Sequence, residues 1–167
     1  MISYDFLNTE KTKRIYWALK ELDKINNDKR TYCSEARLVT ELILRYVVEC
    51  CGIEPAIQSG KNLDTIRRVL PSDILREEIK VEFSNLLNIT NRYHHYCDDI
   101  VPNPHKDYIT VRMALEKIIP WLRDIEKTIK EYLQEKDRRE NRRLVWGLVG
   151  GFLGLLGLFI GSSKSSE

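Results

Sequence analysis

Residues 144–161 read Leu144-Val-Trp-Gly-Leu-Val-Gly-Gly-Phe-Leu-Gly-Leu-Leu-Gly-Leu-Phe-Ile-Gly161. These 18 residues contain no charged residue, no proline and no polar side chain. As a helix they would rise about 27 Å, close to the ~30 Å hydrocarbon core of a bilayer. A helix that is apolar on every side needs either lipid or the centre of a large core, and the preceding 143 residues are too few and too polar to supply that core. The stretch therefore predicts one transmembrane helix over residues 144–161.

The two flanks of this stretch predict its orientation. A basic juxtamembrane segment, residues 136–143, precedes it, whereas the six-residue tail 162–167 contains a single lysine. Basic residues concentrate on the cytoplasmic side of a membrane and bind anionic headgroups. We therefore expect a single-pass, tail-anchored protein with a cytoplasmic N-terminal domain and with membrane lipid as a partner. The residues expected at the membrane surface are Lys136, Arg138, Arg139, Arg142 and Arg143.

Glycine is concentrated in the predicted span, which holds six of the eight glycines of the chain. Five of them recur at alternating spacings of three and four residues and so fall on one stripe of a helix. Such a stripe lets two helix backbones approach closely in lipid, whereas a single GxxxG pair would be weak evidence. The pattern predicts a homo-oligomer formed through Gly147, Gly150, Gly151, Gly154, Gly157 and Gly161.

The remaining chain, residues 1–135, has the composition of one helical domain. Net charge over the whole sequence is only +2, so the sequence implies no general attraction to nucleic acid. The four cysteines lack CxxC spacing, which favours small buried apolar residues over a disulfide framework or a zinc ribbon. Apolar residues follow helical spacing almost throughout. The sequence therefore predicts an all-α, up-and-down bundle of four to five helices, with no cofactor and no metal.

Capping residues and breakers delimit the individual helices. We expect Ser34 to cap the second helix, Gly52 to end it, and Asp73 to cap the fourth. Pro120 should kink or interrupt the last cytosolic helix because it lacks a backbone donor. The predicted helices cover about 9–26, 35–51, 62–70, 73–96 and 107–133.

Surface and core positions follow from the same spacing. In the second helix, Leu38 falls on the apolar face, whereas Arg37, Glu41 and Arg45 fall on a solvated face as i,i+4 pairs. Trp17 has the character of a core or edge aromatic residue.

Polar residues with possible chemistry cluster around the end of the fourth predicted helix. All three histidines and one cysteine lie within twelve residues, as His94, His95, Cys97 and His105, and Asn91-Arg92 precede them. Imidazoles and a thiolate suit zinc, but the adjacent His94 and His95 lie about 100° apart on a helix and rarely meet one ion. The alternative is a structural polar cluster in which cationic histidines favour a helix C-terminus.

A third interpretation comes from resemblance to the HEPN superfamily. The order of features resembles that family: the helix Ser34–Glu49, then Asn62-Leu-Asp-Thr-Ile66, then a helix closing on Leu87–His95, then Ala114–Leu122. The resemblance covers about residues 10–133 and lies mostly in helix order. It implies a helical domain, and degenerate members of the family often belong to stress and anti-phage systems.

Active members of that family carry R-x4-6-H, a metal-independent ribonuclease centre. Arg92 matches the arginine, but no histidine follows at the required spacing, since His95 comes too early and His105 thirteen residues later. The catalytic candidates are Arg92, His95 and His105, and the binding candidates are Asn91, Arg92, His94 and His95. The leading prediction is a membrane interaction or effector protein whose head binds a protein, nucleotide or RNA partner. The alternatives are a membrane-tethered ribonuclease and a passive scaffold.

Overall fold

Helices are the regular elements of this chain. The computed structural model describes residues 4–53, 63, 67, 68, 70–95 and 103–161, and for 94, 95 and 142–161 it describes the backbone alone. A 3-10 helix at Asp5–Leu7 is followed by α1 (Lys13–Lys24), α2 (Lys29–Cys50), α3 (Glu77–His95) and α4 (Pro104–Gly161). Because no strand occurs in these ranges, the all-α prediction is confirmed.

The chain divides into two units, Met1–Ile129 and Lys130–Glu167. The first unit contains a continuous series of buried apolar side chains drawn from every helix that contributes to it, which removes their surface from water. Representative buried residues are Ile15, Leu19 and Leu22 in α1; Val39, Ile43 and Val47 in α2; Phe83 and Leu86 in α3; and Val111, Ile118 and Ile125 in α4.

Helix α2 is the central element of the first unit and packs against both α1 and α3. It also contacts α4 near both of its ends. Near its start, Tyr32 packs edge to face on Tyr108, with ring centroids 4.8 Å apart, and near its end Tyr46 donates a hydrogen bond to Glu126. The start of α2 therefore lies beside the start of α4, and the end of α2 lies beside a later turn of α4. The two helices run parallel over this part of α4.

The start of α2 differs from the prediction. Asp28, assigned from sequence to a turn, is the N-cap: its Oδ1 accepts hydrogen bonds from the backbone N–H groups of Arg30 and Thr31, each 3.1 Å long. Ser34 lies inside the helix, so its predicted capping role is wrong. The predicted end is confirmed, because Gly52 follows the helix with a φ of 68°, a conformation that favours glycine.

Helices α3 and α4 also begin away from their predicted starts. Pro71 accepts hydrogen bonds from the N–H groups of Ile74 and Leu75 in a turn, which delays α3 to Glu77. Helix α4 begins at Pro104, where a missing N–H costs nothing, because the first helical donors have no partner within the helix.

Pro120 lies inside α4, and the helix continues through it, so the predicted interruption does not occur. The adjacent side chains Ile118, Ile119 and Leu122 are buried. Burial of an amphipathic face supplies most of the stability of a helix in a protein, and here it outweighs the loss of one backbone hydrogen bond.

Leu38, which the sequence placed on the apolar face, is on the surface instead, and Trp17, expected in the core or at its edge, is also largely exposed. Trp17 is 53% exposed and Leu38 is 49% exposed. Both lie at the margin of an apolar stripe, where periodicity alone cannot separate core from rim.

Across the described residues, we find no helix that combines the length and the apolarity needed to cross a membrane. The side chains of the predicted span 144–161 and of Arg142 and Arg143 lie outside the described residues, as do the tail 162–167, Cys97 and most of the predicted helix 62–70.

Candidate functional site

The centre of the predicted polar cluster is Asp107, a residue that the sequence analysis had assigned only to a helix start. Its carboxylate accepts a hydrogen bond from Arg92 Nη2 at 3.1 Å and another from the Tyr93 hydroxyl at 3.0 Å. Asp107 is 8% exposed, so the charge of Arg92 compensates a carboxylate that is largely withdrawn from water. We call Arg92, Tyr93 and Asp107 the Asp107 cluster. It joins the end of α3 to the first turn of α4.

Asn91 is engaged separately, on the side of α2. Its Oδ1 accepts a hydrogen bond from Arg37 Nη1. Arg37 therefore contacts α3, and its predicted pairing with Glu41 is wrong, whereas the other predicted pair on this face is present, with Arg45 Nε 2.8 Å from Glu41 Oε1. Two successive residues at the end of α3 thus tie this helix to both of its neighbours.

Burial sets the protonation of the side chains beside Asp107. It raises the pKa of the Tyr93 phenol, and the hydrogen bond to Asp107 raises it further. Burial, with the negative charge of Asp107 as a second cause, raises the pKa of the Cys33 thiol to about 12. Both groups are therefore neutral at physiological pH, and neither supplies the nucleophile or the general base that catalysis would need.

The histidines are not brought into this arrangement by any described contact. His105 is exposed in the first turn of α4, two residues before Asp107, which places it roughly 200° around the helix from the buried carboxylate. For His94 and His95 the structure describes only a helical backbone, and their side chains lie outside the described residues. Of the three catalytic candidates, only Arg92 is therefore located within the cluster.

A metal site is equally without support in the described part of the chain. There, no three His, Cys, Asp or Glu side chains lie close enough together to hold an ion. Three of the four members of the sequence-derived zinc set, namely Cys97 and the side chains of His94 and His95, are outside that part.

Sequence reasoning missed three participants: Asp107, Tyr93 and Arg37. Arg92 and Asp107 are 15 positions apart, and the sequence between them gives no periodic signal that links the two side chains. One usable signal was present, since Asp107 lies in the first turn of the helix on the same face as the apolar residues Val111, Ala114 and Ile118, which makes it a candidate for a buried ion pair.

The residues predicted to act at a membrane lie in the second unit. Lys136, Arg138 and Arg139 are exposed on α4, and Arg139 Nε lies 3.1 Å from Glu135 Oε1. The helical backbone of α4 includes all six glycine positions of the predicted span.

Comparison of the chain with protein-family models, with curated proteins and with solved structures found no match. The HEPN relationship therefore stays a prediction from helix order and from the Arg92 region.

Proposed function

We propose that this chain is a membrane-anchored interaction protein. Its helical bundle binds a protein or nucleotide partner, and its glycine-rich helical segment associates with further copies, in the manner of effectors of stress or anti-phage systems. The anchor is supported by the uncharged residues 144–161 and by the basic segment 136–143 before them.

The Asp107 cluster supports an interaction role over catalysis, because its charged groups already bind one another. Arg92 would have to stabilise a phosphate in a ribonuclease, but its guanidinium is bound to Asp107 Oδ1 at 3.1 Å. The other oxygen of that carboxylate accepts from Tyr93. A cation held in this way positions helices, and freeing it for a phosphate would leave a buried carboxylate without its counter-charge.

Cleavage of RNA by the full-length chain tests this choice. We expect no metal-independent cleavage by the wild type. Cleavage that is abolished by Arg92→Ala and retained by Arg37→Ala would contradict the proposal and favour the membrane-tethered ribonuclease.

Self-association is tested on the glycine stripe. Gly150→Ile combined with Gly154→Ile should reduce association in a transmembrane reporter assay, because close packing is lost within an ångström of added separation. Insertion should be preserved, since isoleucine increases the apolarity of the segment. The matched control is Leu148→Ile with Leu155→Ile, which should change association little. If the two double variants behave alike, the segment is only a tether and the passive scaffold is favoured.

A further inference from the structure

A second concave site lies in the first unit, away from the Asp107 cluster. It is a cavity of about 400 Å³ where the N-terminal segment, the end of α1, the start of α2 and α4 meet. Small-molecule sites typically measure about 300–1,000 Å³. We call this cavity the tyrosine pocket.

Three tyrosines from separate parts of the chain form its floor. Tyr4 and Tyr32 are 7% and 5% exposed, and half-buried Tyr108 packs edge to face on Tyr32. Burial and the neighbouring Asp23 raise the pKa of Tyr4 to about 12, so this phenol is neutral at physiological pH. Neutral phenol rings carry negative potential on their faces and attract cations.

One such cation–π contact is present within the chain, between Lys20 and the tyrosine rings at the edge of the pocket. The Lys20 ammonium lies 5.7 Å from the centroid of the Tyr4 ring and 5.6 Å from that of Tyr16. These distances are within the range of cation–π contacts. An ammonium group is thus compatible with the potential around these rings.

The charged side chains among the described lining residues are Asp23, Glu116 and Arg112, which together carry a net negative charge. Among the described lining residues the cation is Arg112, which contacts Glu116 Oε1 through Nε and the Tyr108 hydroxyl through Nη1, both at 3.3 Å, while Lys20 lies at the edge over the Tyr4 ring. Asp23, by contrast, accepts a 3.3 Å hydrogen bond from the neutral Tyr4 hydroxyl, and no cation pairs with it within the described chain. The pocket therefore combines tyrosine side chains with one carboxylate that makes no ion pair within the described chain.

We propose that the tyrosine pocket binds a small organic cation with a protonated or quaternary alkylammonium group. The aromatic floor accommodates the alkyl groups and the positive charge, and Asp23 supplies the counter-charge. A phosphate would instead meet the carboxylates of Asp23 and Glu116, and Arg112, the cation among the described lining residues, is already engaged by Glu116. The inference goes beyond the proposed function and does not depend on membrane insertion or on self-association.

Isothermal titration of the full-length chain in a non-ionic detergent tests the proposal. The probes are tetramethylammonium chloride and putrescine, which separate a quaternary from a protonated ammonium, with potassium phosphate as the anionic comparison at equal ionic strength. We expect one of the two amines to bind at concentrations up to about 10 mM and phosphate not to bind. Binding of neither amine, or of phosphate alone, would overturn the proposal.

Variants then assign the binding to this pocket. Asp23→Asn should weaken binding at least about fivefold, which corresponds to the loss of one favourable charge interaction. Glu21→Gln is the matched control, because Glu21 is an exposed carboxylate on the same helix and is paired with Lys24 outside the pocket. Tyr108→Phe should preserve binding and Tyr108→Leu should weaken it, since the aromatic face is retained only in the former. Equal effects of Asp23→Asn and Glu21→Gln would place the ligand elsewhere and contradict the proposal.

Discussion

Asp107 illustrates how a single carboxylate organises the end of two helices. It is nearly buried, and it is compensated by one guanidinium and one phenol. Forming such a pair adds little to the free energy of unfolding. Removing one partner lowers it more, because the other charge is then buried without compensation. Arg92 stays partly in water, with 42% of its side chain exposed, which lowers the cost of leaving it alone.

Asp107→Asn should therefore lower the free energy of unfolding by roughly 1–3 kcal/mol. The amide keeps the size of the side chain but removes the charge that Arg92 binds. Urea denaturation measures the loss, and Tyr93→Phe, which removes one hydrogen bond and leaves the ion pair, should cost about 1 kcal/mol. Unchanged stability of Asp107→Asn would mean that the cluster is not structural.

The Cys33 thiol, in the same region, makes the free energy of unfolding depend on pH in the alkaline range. Its pKa is raised from 9.0 to about 12, chiefly by burial. The native protein thus keeps a proton that the unfolded chain releases, so this contribution is complete below pH 9 and is lost as the pH rises towards 12. We expect the free energy of unfolding to fall across that window, and Cys33→Ala to reduce the slope. The slope should not vanish, because burial raises the pKa of Cys51 to about 11 as well. A slope that is the same in Cys33→Ala would rule out the linkage.

At the scale of elements, the sequence predicted the helices well and their ends less well. Apolar spacing located α1, α2 and α4 because burial of one face is a property of the pattern itself. Caps were ambiguous, since Asp28 and Ser34 are both good capping residues and only the backbone geometry distinguishes them. Leu38 shows the same limit across a helix, because a stripe margin has no sequence marker.

The Asp107 cluster was predictable only in part, because the partner residues are far apart in the sequence. Asn91 and Arg92 were selected from their local composition, and both make tertiary contacts. Their partners Arg37 and Asp107 are 54 and 15 residues away, and helix periodicity gives no information about which faces meet.

Pro120 allows the continuity of α4 to be tested. Pro120→Ala should raise the free energy of unfolding by about 1–3 kcal/mol, because it restores a backbone donor in a helix interior that already holds its shape. Pro104→Ala is the control: at the first helical position proline costs nothing, so its replacement should leave stability unchanged or slightly lower. Thermal denaturation compares the two, and a destabilised Pro120→Ala would indicate that the proline shapes the helix.

For the whole molecule, the proposed role depends on the different characters of its two units. The first unit has a buried apolar core of its own, which is what a separately folded domain requires. The second unit follows the opposite composition, with exposed basic side chains ahead of an uncharged glycine-rich sequence. Exposure of so many apolar side chains to water is unfavourable. They are stable only where a bilayer or other copies of the segment cover them.

Membrane association and orientation can be measured together. We expect carbonate washing to leave the chain in the membrane fraction, and protease added to intact spheroplasts to leave residues 1–135 uncut. Exchange of Arg138, Arg139, Arg142 and Arg143 for glutamine removes most of the basic flank, so a fraction of the molecules should invert and become cleavable. The same exchange at Lys13 and Arg14, which are exposed but distant in sequence, should leave the domain protected. Release by carbonate would exclude the anchor. Suppose that carbonate leaves the wild type in the membrane and that both variants are equally protected. The anchor would then stand, but the positive charge next to the span would have no effect on which side the domain occupies. Something other than the basic segment would set the orientation.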